Sequence, residues 1–193
     1  MTPPARSHLL GVEVGSTDWL KRVTRVGAGK PTKWLEVPAA DAQRLLRATT
    51  RLVADLPADS NQDVVWVSGS SELLVFTDQV TLTCNVGLVT IGIPVSCDQT
   101  RGAVEIGVPL AVGTQEEPRG LFMSTFSRPR GPEVVTEPWA GALTAFAWES
   151  LLTLARQLSG AAGSDRQGRS LVPVALASGR NLLMVRSMAR HEG

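Results

Sequence analysis

The sequence predicts an α+β domain: an antiparallel β-meander sheet with one face covered by two helices, at about 39–56 and 139–158. Three observations predict it. Short alternating runs crowd residues 64–112, separated by links of turn-forming residues. Two other stretches carry apolar residues at helical spacing instead. The 193 residues, 43% apolar and 19% charged, suffice for one core without disulfide or metal staples, so residues 1–193 read as a single domain.

In chain order, residues 8–14 read as a short strand ending at Gly15-Ser16, and residues 19–26 fit a strand or a helical turn. Gly27-Ala28-Gly29 forms a turn, from which residues 34–37 return as a strand. Beyond Pro38, Ala42, Leu45, Leu46, Thr49, Leu52, Val53 and Leu56 recur on one helical face opposite Arg44, Arg47 and Arg51, until Pro57 stops the helix.

Five strand-like runs follow, at 64–67, 72–76, 80–84, 88–95 and 103–112. Their links, at 68–70, 77–79, 85–87 and 98–102, are short and rich in Ser, Gly, Asn and Asp, as expected between antiparallel neighbours. Parity assigns the faces. Val80, Leu82 and Cys84 point one way, as do Val89, Ile91, Ile93 and Val95, with Cys97 joining them if the alternation continues. The other face carries Thr, Gly, Pro, Glu and Ala, so the sheet is covered on one side. A sixth strand is expected at 121–126, then a Pro/Arg/Gly-rich loop at 127–132.

The second helix, entered at Pro138, is apolar on both sides: Leu143, Phe146, Leu151 and Leu154 on one, Ala145, Trp148, Leu152 and Ala155 on the other. Such a helix is deeply buried or shared with a second subunit. A loop at 159–170 leads to a final hairpin, 171–177 and 182–188, turning at Ser178-Gly179-Arg180-Asn181. Residues 87–95 and 102–110 share a Gly-x-Val-x-Ile-Gly-x-Pro pattern, read as neighbouring strands that need glycine and proline at one level, or else as a stripe for peptide docking.

The search for chemistry mostly excludes. Gly27-Ala28-Gly29-Lys30 lacks the upstream glycine and the following Ser or Thr of a phosphate loop; Thr24 and Pro31 stand there. The two histidines, His8 and His191, have no ligand partner at metal spacing, so no metal and no cofactor is expected. Glu72, Asp78, Asp98, Glu105, Glu116 and Glu117 read as a solvated acidic rim. No nucleophile elbow is present, and thiols on an aliphatic face are inert, so no catalytic residue is nominated.

Charge is segregated although the net value is only +1. Residues 19–34 carry Lys21, Arg22, Arg25, Lys30 and Lys33 with no acid, between Trp19 and Trp34. Together with Arg128 and Arg130 these form the candidate polyanion- or partner-binding set, since basic side chains beside tryptophan can track phosphates and stack bases. Lys21, Lys30 and Lys33 are the only lysines beside a large excess of arginine, which suggests a GC-rich bacterial coding sequence. The start lacks the apolar run of a signal peptide, no window is long and apolar enough to span a membrane, and the cysteines are expected reduced, all pointing to the cytoplasm.

The leading expectation is a non-enzymatic binding or assembly protein, a homo-oligomer or a subunit of a larger bacterial complex. Nucleic-acid or polyanion binding through 19–34 is the alternative. A small enzyme or ligand-binding domain using unassigned carboxylates is the third.

Overall fold

The computed structural model describes residues 34–57, 62–121, 128–165 and 167–190. Its elements run β1 (Trp34–Pro38), α1 (Ala39–Val53), β2 (Val64–Ser68), β3 (Ser71–Val75), a 3₁₀ turn (Thr77–Gln79), β4 (Thr81–Asn85), β5 (Gly87–Ser96), β6 (Val104–Gly113), β7 (Arg119–Gly120), α2 (Glu133–Ala161), β8 (Leu171–Gly179) and β9 (Leu182–Ala189). The fold is α+β with antiparallel sheets, as the alternation predicts. The strands expected at 8–14 and 19–26 and most of the one at 121–126 lie outside the described residues.

The strands form two sheets. One has the order β1-β9-β8-β7; in the larger, β5 is the hub, with β6 along one side and both β3 and β4 along the other. Val75 pairs with Val95 and Thr81 with Gly92, so β3 and β4 run in the same direction down one flank of β5. The link at 77–79 therefore does not reverse the chain, as its composition suggests it should. It is a 3₁₀ excursion that interrupts one long edge.

That interruption accounts for the internal repeat. Gly92 pairs with Gly107, while Pro94 and Pro109 fall to either side, opposite Glu105 and Thr90. The Pro94 carbonyl accepts from the Phe76 N–H (3.0 Å), so the missing N–H of Pro94 points into the gap between β3 and β4. Gly107 exchanges backbone hydrogen bonds with Arg130 on the outer side of β6, and Pro109, two residues on, also turns its donorless nitrogen outward. Each proline occupies a place where no ladder bond is lost.

One face of the larger sheet is the core. Val89, Ile91, Ile93 and Val95 of β5, with Ile106, Val108, Leu110 and Val112 of β6, are buried beneath Leu46, Leu143, Phe146, Leu151 and Leu154 of the helices. The sheets meet at the β8–β9 hairpin. The Ser178 hydroxyl donates to the Asn85 carbonyl (2.7 Å), and the Asn181 N–H donates to that of Cys84 (3.0 Å).

Both helices depart from expectation in detail. In α1, Leu45 and Leu52 are each 42% exposed, while Thr49 and Thr50 are fully buried. Buried threonines are tolerated because their hydroxyls are bonded: Thr49 to the carbonyls of Leu46 and Ser150, Thr50 to those of Arg47 and Thr77. These bonds fasten α1 to α2 and to the 3₁₀ turn. Helix α2 starts at Glu133, not at Pro138, which lies inside it. Its apolar circumference is answered within the chain, since Ala145, Trp148, Leu152 and Ala155 are buried along with Leu143, Phe146 and Leu151. No described helix is long and apolar enough to cross a membrane.

Candidate functional site

A cleft of about 420 Å³ opens where three segments converge: the β2–β3 turn, the turn after β5, and the first two turns of α2. Its lining includes Glu72, Asp98, Glu133 and Glu137, the hydroxyls of Ser70 and Ser71, and the apolar side chains of Val134, Pro138 and Trp139. Each segment has a local reason for its shape. Gly69 is at φ +60° at the first central position of a two-residue hairpin, where a II′ turn requires glycine. After β5, the Thr100 hydroxyl bridges the N–H and carbonyl of Cys97 (3.0 and 2.9 Å) and closes a tight turn. Pro132 caps α2, its carbonyl accepting from Val135 and Thr136 (3.0 Å each).

The floor is rigid. Trp139 is buried, its ring 6.3 Å from that of Trp66, which packs edge-on against Phe146 at 5.3 Å. The rim carries the charge: Glu72, Asp98, Glu133 and Glu137 are all exposed. Glu133 and Glu137 lie four residues apart on one helix face, where like charges repel each other. Only Glu133 sits in the first turn, where the helix dipole offsets that repulsion. A cation between them would relieve the rest. Among the described residues no three His, Cys, Asp or Glu side chains converge as a metal site.

The two cysteines divide. Cys84 is buried on the aliphatic face as parity predicts, and burial pushes its thiol up to about 11. Cys97 follows the parity only in part: β5 ends at Ser96, and Cys97 packs half-buried against the edge of the core while also lining the cleft. Neither is bridged.

Of the polyanion-binding set, Trp19, Lys21, Arg22, Arg25, Lys30 and Lys33 lie outside the described residues. Trp34 stands on β1, opposite Arg186 of β9, whose guanidinium covers its ring at 5.2 Å. Arg128 and Arg130 are exposed, and Arg130 lies beside β6 of the other sheet, its backbone bonded to Gly107. The structure therefore does not gather Trp34 with Arg128 and Arg130.

Sequence reasoning placed Glu72 and Asp98 on an acidic rim but missed Glu133 and Glu137, which it left ahead of the helix. The signal that finds them is Pro132: read as the residue that opens α2, it puts both glutamates on one face of the first turns. No protein-family model matches the chain, and no curated protein or solved structure matches it either.

Proposed function

We propose that this chain is a non-enzymatic binding protein whose acidic cleft receives a basic segment of a protein partner. The observation that carries this reading is the lining itself: among the described residues it holds four carboxylates and no cation around an apolar floor. An arginine or lysine fits such a surface in two parts. Its aliphatic stem packs on Val134 and Pro138, and its head meets the carboxylates. Several such contacts in series give specificity by charge and speed of encounter. Binding is favoured over catalysis because the thiol in the lining, Cys97, has only carboxylates as charged neighbours among the described lining residues. Two unbridged cysteines fit a cytoplasmic location.

Titration calorimetry with a hexa-arginine peptide tests the reading. Saturable binding should weaken roughly 3- to 30-fold in a Glu133→Gln/Glu137→Gln variant, and also as salt is raised. Equal affinity in the variant, or no binding at low salt, would defeat it.

A further inference from the structure

The edges of the larger sheet are not treated alike. On β4 the outward backbone groups are taken by side chains and a turn. Arg47 donates to the Val80 carbonyl (3.2 Å), the Leu82 N–H donates to Gln43 (3.3 Å), and the Cys84 carbonyl accepts from Asn181 (3.0 Å). On β6 Arg130 occupies Gly107, and Pro109 has no donor to offer. Strand β2 has no such cover. It pairs with β3 alone, and among the described residues nothing bonds to its other side.

The groups left open follow from the hairpin. Ser68 and Ser71 flank a two-residue turn and form a hydrogen-bonded pair, so Ser68, Trp66 and Val64 turn their N–H and carbonyl toward β3. Val65 and Val67 turn theirs outward. Strand β2 also lacks what usually guards an edge, with no charge, proline or bulge in Val64-Val65-Trp66-Val67-Ser68 and with Val67 44% exposed.

We propose that β2 pairs antiparallel with β2 of a second copy of this chain, about a two-fold axis at Trp66. In that register Val65 meets the second copy's Val67 and Val67 its Val65, so every outward N–H and carbonyl of the two residues finds a partner. The half-exposed Val67 is then covered by a valine. Asp63, the nearest charge, falls opposite Gly69, so no like charges oppose each other across the axis. The strand carries no charge along its length, so a second copy meets it about a two-fold axis without a clash of charges. This interface adjoins the cleft at the Gly69-Ser70 turn, but the pairing rests on the edge of β2 and not on the cleft's proposed role.

Sedimentation analysis of the full chain tests it. The wild type is expected as a dimer at micromolar concentration, and Val67→Lys as a monomer with unchanged circular dichroism. Val86→Lys, at an exposed site elsewhere, should remain dimeric. Register is tested in a Cys97→Ser background by oxidising Val65→Cys and Val67→Cys separately and mixed, with a disulfide dimer expected to be far more abundant in the mixture. A wild type that stays monomeric, a Val67→Lys dimer, or cross-linking equal in the three samples would overturn the proposal, even if Val67→Lys should fail to fold.

Discussion

The side chain of Glu105 crosses the bare backbone of Gly92, where its carboxylate accepts a hydrogen bond from the Thr81 hydroxyl (3.1 Å). A Cβ on Gly92 would crowd the Thr81 hydroxyl first and would stand 2.6 Å from the Glu105 carboxyl carbon. The glycine at this level of the repeat therefore makes room for a neighbouring side chain rather than for a ligand. Gly92→Ala is expected to destabilise the fold by about 1–3 kcal/mol through overpacking. Adding Glu105→Ala should recover part of that loss. Urea unfolding midpoints of the single and double variants measure both effects.

The cysteines should react in two separate phases. Cys97 reaches the cleft, whereas Cys84 is buried with its thiol pushed up to about 11. At pH 8 that leaves Cys84 about one thousandth thiolate, besides being shielded from reagent. A chromogenic disulfide reagent is expected to modify one thiol promptly in the native protein and the second only on unfolding. Cys97→Ser should remove the prompt phase; its survival would contradict the assignment.

Glu149 gives a pH prediction with a definite sign. Burial raises its carboxyl above the ordinary range, and the attraction of Arg156 only partly opposes this. The folded state thus favours the protonated form. Its contribution is present below the ordinary carboxylate range and is lost as pH rises through the raised value. Glu149→Gln should raise Tm at pH 7, with each 1 kcal/mol worth about 2–4 °C in a chain of this size. The gain should vanish in acid, and thermal melts between pH 3 and pH 8 would show whether it does.

Asp165 behaves in the opposite sense. One carboxylate oxygen accepts from the N–H groups of Gln167 and Arg169 (2.9 and 2.8 Å), and the other accepts two bonds from the Arg169 guanidinium. Those bonds, the Arg169 side chain first, hold its carboxyl below the ordinary range. The support it gives the loop before β8 is present above the ordinary range and lost as pH falls through the lowered value. Asp165→Ala is expected to lower amide-exchange protection at Gln167 and Arg169 at neutral pH while leaving β9 unaffected. Protection at those amides equal to wild type would count against it.

Much of this architecture is legible because period-two alternation survives wherever one face is buried, as in Val89 to Val95 and Val104 to Val112. The misreadings share one cause: a local signal that tertiary structure overrides. Pro138 resembles a helix start, yet the helix runs through it from Glu133. Thr77-Asp78-Gln79 has turn chemistry but carries a broken strand onward. Leu45 and Leu52 fit the apolar period of α1 yet lie outside its contact with α2, where Thr49 and Thr50 are bonded instead. The cleft was least legible, because its carboxylates come from three segments that only the fold brings together.

The occupied flanks of β4 and β6 restrict how an assembly through this sheet can grow. A sheet that exposed two free edges could recruit copies at both ends and extend without bound, which is the route to fibres. Here Arg47, Gln43 and Asn181 occupy outward groups along β4, while on β6 Arg130 occupies those of Gly107 and Pro109 offers no donor. Among the described residues β2 is the edge strand with nothing bonded to its outer side, and growth through it would consume that edge in both copies. Concentrating the protein is therefore expected to saturate a pair without seeding filaments, and thioflavin fluorescence at high concentration provides the check.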